Sequence, residues 1–203
     1  ALILPKYRLL VPLTALMVLG TFLQAAYFLG LRAEVITSCC GTLFSRETQG
    51  IGSRLAGLPP GGTRIAFYAS VVLTVRVGIH VAIKGRGAAL FGALAAATTV
   101  VSLAAMLSFI SLYYYELPTH HCPFCLLQAD YGYIGYPLYL SLFAGGITGM
   151  GAGLLEALKG PASVAEVIPD LQKKLVLISM AGFVLFALLA TWPMVVGDFV
   201  LGA

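Results

Sequence analysis

Apolar residues in this chain run in long blocks rather than alternating with polar ones. A helix needs about 20 mainly apolar residues to cross a bilayer. Five blocks reach that length: residues 9–31, 65–83, 87–114, 133–155 and 175–196. The pattern predicts an all-α, polytopic membrane bundle of about five transmembrane helices, making one integral membrane domain over 1–203. The basic flanks of the first block, Lys6 and Arg8, resemble those of a signal peptide, but the block runs on without a small-x-small cleavage site and is expected to be a retained helix. Pro12 is expected near the start of that helix, where proline is tolerated. Pro137 predicts a kink or a late start in the fourth span.

Charge supplies a direction. Lys6, Arg8, Lys84, Arg86, Lys159, Lys173 and Lys174 fall in alternate connections, whereas residues 115–132 hold no lysine or arginine. By the positive-inside rule the N-terminus is cytoplasmic and the C-terminus lies outside, in the periplasm of a bacterial inner membrane. Arg32, Arg46, Arg54 and Arg64 in the long outer loop 32–64 run against that bias. A short helix around 42–54 followed by a glycine-rich turn is expected in this loop, and an interfacial helix in 164–175 on the inner side.

Composition agrees with the pattern. Of 203 residues, 60% are hydrophobic and 10% charged, with a net charge of +4. This excludes a soluble or disordered chain, and the small basic surplus is no nucleic-acid signal. Small residues crowd the third and fourth blocks, including Gly92, Gly145, Gly146, Gly149, Gly151 and Gly153. Such spacing lets helices approach closely, either within the bundle or against a partner membrane subunit.

The candidate chemistry lies in four cysteines, all expected on the outer, oxidising side. His120-His121-Cys122-Pro123-Phe124-Cys125 places a CxxC pair just before an apolar segment. At a helix N-terminus the Cys122 thiolate would be favoured, which suits disulfide exchange. A structural disulfide is the alternative. Cys39 and Cys40 are adjacent, too close across a trans peptide to bond readily to each other, so each would seek another partner such as Cys122. Copper or zinc could instead be held by Cys39, Cys40, Cys122 and Cys125 with His120 and His121. Tyr113, Tyr114, Tyr115, Tyr131, Tyr133, Tyr136 and Tyr139 surround the pair and read as an interfacial belt. Gln128 and Tyr131 could bind a quinone headgroup, and Asp130, ahead of Glu116, could carry protons. Arg76 and His80 share a helix face at i, i+4 and read as an anchor rather than an ion path. No CxxCH motif occurs, and His80 stands toward the opposite surface from His120 and His121, so no haem is predicted.

The stretch Ser38-Cys39-Cys40-Gly41-Thr42-Leu43-Phe44-Ser45 resembles the Ser-Cys-Ser-x-Val-Phe-Ser type loop of the vitamin K epoxide reductase family. That family carries it after the first membrane helix, with a CxxC at the outer start of its fourth, which Cys122-Pro123-Phe124-Cys125 resembles. The resemblance implies quinone-linked disulfide formation, shared in mechanism with bacterial disulfide-bond oxidases. It makes Cys122 and Cys125 the quinone-proximal pair and Cys39 the loop cysteine that exchanges with them. Where the family has a further loop cysteine, this chain has Leu31, and Cys40 is its possible substitute. The function expected is a membrane thiol–disulfide oxidoreductase taking electrons from a periplasmic thiol protein. The alternatives are a non-catalytic subunit of a respiratory complex and a metal-handling protein.

Overall fold

The structure is a computed structural model, and it describes residues 3–30, 51–118, 120–157, 167–197 and 199. The chain divides into two compact units, Ala1–Ser38 and Cys39–Ala203. The first contains helix α1, Ile3–Gly30. Because α1 begins ahead of its first basic residue, Pro12 lies inside the helix rather than near its start, and removes one backbone donor there.

The second unit holds a short helix α2 (Ile51–Ala56) and α3 (Pro60–Lys84). A third long rod is continuous through α4 (Ala88–Ala105), a π-helical turn (Met106–Ile110) and α5 (Ser111–Tyr115). Helices α6 (Gly135–Ala157) and α7 (Ile168–Val196) complete it. Five helical stretches are long and apolar enough to cross a membrane: Tyr7–Tyr27, Pro60–Lys84, Ala88–Tyr115, Gly135–Ala157 and Ile168–Val196.

Three boundaries differ from expectation. The second span opens at Pro60, not residue 65, so Gly61 and Gly62 lie in its first turn instead of a loop. Proline at the first helical position needs no N–H partner and has its φ already set, and the Thr63 hydroxyl donates to the Pro59 carbonyl at 3.0 Å. The outer-loop helix occupies Ile51–Ala56, extending beyond the expected end at 54, while 42–50 lie outside the described residues. From Ile168 onward, the expected interfacial helix is simply the first turns of α7, continuous with the fifth span. Gln172 explains the continuity. It is buried, and its amide donates to the Ala152 carbonyl at 2.8 Å and to Glu156 at 3.0 Å, binding this polar end of α7 to α6.

Within this unit α3, α4, α6 and α7 pack as a closed ring of four, each against the next. Glycines set the approach on the α6 side. A Cβ on Gly92 would fall 2.7 Å from the Gly153 Cα, and one on Gly149 would fall 2.4 Å from the Ala95 Cβ. The small residues are thus engaged in packing inside the bundle. Buried hydroxyls tie the ring together, as lipid offers no competing water. Thr74 and Thr98 share a hydrogen bond of 2.7 Å, Ser179 donates to the Gly145 carbonyl at 2.6 Å, and Tyr68 and Thr191 meet at 2.8 Å. Phe67 packs edge-on against both Phe109 and Phe186 at the centre. The outward faces are equally apolar: Leu140 is 73% exposed, with Ile147, Leu154, Leu188 and Trp192 also exposed. Such a surface suits contact with lipid.

Candidate functional site

Helix α5 ends where Glu116 takes a left-handed conformation, φ 53°, and the chain turns across the end of the bundle. The cysteine loop follows. The Leu127 N–H donates to the Phe124 carbonyl at 3.1 Å and the Gln128 N–H to the Cys125 carbonyl at 3.0 Å, forming a 3-10 turn over Cys125–Leu127. A second 3-10 turn covers Ala129–Tyr131, and Gly132 and Tyr133 then take left-handed conformations. Helix α6 therefore starts only at Gly135, which is the late start that Pro137 predicts. One expectation is corrected here. Cys122 does not sit at the N-terminus of a membrane helix, so no helix dipole acts on its sulfur. The left-handed pair Gly132–Tyr133 breaks the chain between the CxxC and α6.

What the loop supplies instead is burial. Cys122 is 1% and Cys125 5% exposed, whereas Phe124 between them is 57% exposed. Both cysteines join the main apolar cluster with Tyr113, Tyr115, Leu126 and Leu138. The loop is held in place by side chains bonding to main-chain groups. The Tyr115 hydroxyl donates to the Cys122 carbonyl, and the Tyr139 hydroxyl donates to the Pro123 carbonyl at 3.0 Å. His121 is 3% exposed, and its Nδ1 donates to the Leu107 carbonyl at 2.8 Å. Leu107 belongs to the π-helical turn, where the wider ladder shifts carbonyl directions. Next to it, the Ser108 hydroxyl donates to the Leu58 carbonyl at 3.1 Å. The π-turn thus bonds the cysteine loop through one residue and the entry to α3 through the next. Gly135 permits close contact from the other side, since a Cβ there would fall 2.9 Å from the Leu126 carbonyl group.

The tyrosines differ in burial, with Tyr114, Tyr131 and Tyr139 half-buried. Tyr113 and Tyr115 are buried, and Tyr115 meets His120 and Tyr131 edge-on at 4.6 Å each. Tyr133 and Tyr136 are exposed and fit the interfacial belt. Gln128, Asp130 and Glu116 are exposed, and Tyr131 is half-buried. Arg76 and His80 are exposed on α3, away from the cysteine loop. Among the described residues, no group of three His, Cys, Asp or Glu is placed to hold a metal ion. Cys39 and Cys40 lie outside the described residues. Sequence reasoning did not single out His121, Tyr115 and Tyr139 as the supports of the loop. The only signal was their closeness in the chain to the CxxC.

These bonds carry a prediction. Tyr115→Phe removes the donor to the Cys122 carbonyl while keeping the ring. Losing one hydrogen bond to a buried group costs about 1–3 kcal/mol, so opening of the loop, and maleimide labelling of Cys122, should rise about tenfold. Labelling rates with Cys125 replaced by alanine in both backgrounds would read this; equal rates would show that the bond does not hold the loop shut.

Comparison with family models, curated proteins and solved structures finds no match to this chain.

Proposed function

We propose that the protein is a membrane thiol–disulfide oxidoreductase that takes electrons from thiols on the outer side of a bacterial inner membrane, by way of Cys122 and Cys125. The observation carrying this reading is the buried CxxC, clamped by Tyr115, Tyr139 and His121 at the end of an apolar bundle. The likeness of both cysteine motifs to the vitamin K epoxide reductase loops points the same way.

The chemistry balances on the chain's own groups. Two thiols give one disulfide, two protons and two electrons. A substrate dithiol attacks that disulfide, directly or through a mixed disulfide first formed between Cys122 and Cys39 or Cys40, and its second thiol resolves the last mixed disulfide, so that Cys122 and Cys125 return to thiols and the substrate leaves as a disulfide. Exposed Asp130 accepts released protons near the loop. A quinone, when bound, supplies the sink for two electrons and two protons. The residues present fit one: quinone oxygens are acceptors, and the Gln128 amide and Tyr131 hydroxyl are donors on the segment following the cysteines. An outward-facing apolar groove of about 340 Å³ between α6 and α7, lined by Pro137, Leu140, Ser141, Ile178 and Leu185, suits an isoprenoid tail. Pro137 in its lining is the chain neighbour of Leu138, which packs in the same cluster as both cysteines.

Purified protein supplied with a reduced dithiol peptide and a soluble quinone should form quinol and oxidised peptide in equal amounts. Disulfide mapping should find Cys122 joined to Cys125 in the quinone-treated protein. Cysteines that stay reduced in the presence of quinone would rule the reading out.

A further inference from the structure

The bundle carries a second polar feature at the end away from the cysteine loop. There the last turn of α3 and the first turns of α7 enclose a cavity of about 330 Å³ lined by Val81, Ile83, Lys84, Pro169, Asp170 and Lys173 among others. The rod from Ala88 to Tyr115 spans the distance between this end and the cysteines. Val81 is buried in the cavity wall, while Lys84, Asp170 and Lys173 are exposed. The amide of Gln172, which also lines the cavity, is engaged with Ala152 and Glu156. Two lysines and one aspartate therefore stand in its lining. Arg86 and Lys174, both exposed, add positive charge close by in the chain.

The level of the cavity identifies the ligand chemistry. The apolar run of α3 stops at Lys84, and that of α7 starts just after Lys174, so the lysines stand where hydrocarbon gives way to water. Lipid phosphates lie at that depth, and basic pockets between membrane helices hold anionic headgroups. The apolar wall, with Val81 and Ile83, continues from the charged groups along the membrane-spanning part of α3. A soluble phosphate compound would use the two lysines but leave that wall without a partner.

We propose that this cavity binds the phosphate of an anionic phospholipid, with Lys84 and Lys173 donating to its oxygens and the acyl chains lying along the apolar wall. Asp170 opposes the phosphate and limits the affinity. Nothing in the site depends on the thiol chemistry, so either proposal can fail alone.

The test uses the full chain in detergent, titrated with phosphatidylglycerol, with phosphatidylcholine and with inorganic phosphate, and read by native mass spectrometry. Phosphatidylglycerol should bind more tightly than phosphatidylcholine. Lys84→Gln and Lys173→Gln should each weaken it about fivefold, and together about 20-fold, as expected for loss of single charges at a lipid surface. Asp170→Asn should tighten it about threefold. A gain in one variant alongside losses in the others cannot come from misfolding. Equal phosphatidylglycerol binding by the native chain and the double variant would overturn the proposal, as would weaker binding by Asp170→Asn. A stronger response to inorganic phosphate than to phosphatidylglycerol would overturn the lipid assignment in favour of a soluble phosphate ligand.

Discussion

Replacing Cys122 by serine is expected to lower dithiol oxidation to the uncatalysed background while leaving the bundle folded. A hydroxyl cannot form the disulfide that accepts the two electrons from substrate, so no partial activity should survive. The fold should tolerate the change because the loop is held through main-chain carbonyls. Tyr115 bonds the carbonyl of Cys122, Tyr139 bonds that of Pro123, and neither bond involves the sulfur. The buried hydroxyl costs about 1–3 kcal/mol when it finds no partner, a modest loss of stability beside complete loss of turnover. Cys125→Ala should differ in kind. Offered the oxidised peptide, its Cys122 attacks the peptide disulfide and should stay trapped in the mixed disulfide, because the Cys125 thiol that would expel the peptide is gone. Quinol absorbance and mass mapping of the non-reduced protein would read both variants. Turnover above background in Cys122→Ser would remove the pair from the mechanism.

Gly182→Ala is expected to produce a large loss of stability from a single methyl group. A Cβ at Gly182 would lie 2.7 Å from the Gly145 nitrogen and 2.8 Å from the Ser141 carbonyl oxygen. Both are backbone atoms of α6, so no rotamer change relieves the contact and the two helices must separate. Overpacking of this sort costs about 1–3 kcal/mol. The separation would also strain the bond from Ser179 to the Gly145 carbonyl, one turn away. Gly151→Ala, on the facing helix α6, supplies the control. Its Cβ would meet only the Leu175 side chain at 3.8 Å, an ordinary contact, and alanine is the better helix former. Thermal unfolding in detergent should show Gly182→Ala well below the native protein and Gly151→Ala level with it or above. Equal stability of the two variants would mean that the α6–α7 approach is looser than these distances require.

The helical spans were largely legible from hydropathy. The run 65–83 became Pro60–Lys84, 87–114 became Ala88–Tyr115, and 133–155 became Gly135–Ala157. The differences lie at ends where local chemistry outweighs hydropathy: Pro60 starts a helix across two glycines, and buried Gln172 carries α7 beyond its apolar run. The CxxC was equally plain as a motif. Its environment was not, because the motif was expected immediately before an apolar helix, where Cys122 would meet the helix N-terminus, and the left-handed Gly132–Tyr133 pair sets it apart.

The amino-acid sequence by itself determined that this chain forms apolar helices of membrane-spanning length, and that two cysteines stand together in the connection lacking basic residues. Five long hydrocarbon-rich runs admit few other structures, since backbone groups in lipid must bond within the helix. Only the tertiary structure decided which faces turn inward, which tyrosines clamp the cysteine loop, and that a π-helical turn receives His121. In a membrane bundle the lipid-facing and core-facing sides are both apolar, so the 3.6-residue periodicity that separates inside from outside in a soluble helix is nearly erased. What remains to orient each helix is shape: glycine against backbone, hydroxyl against carbonyl, ring edge against ring face.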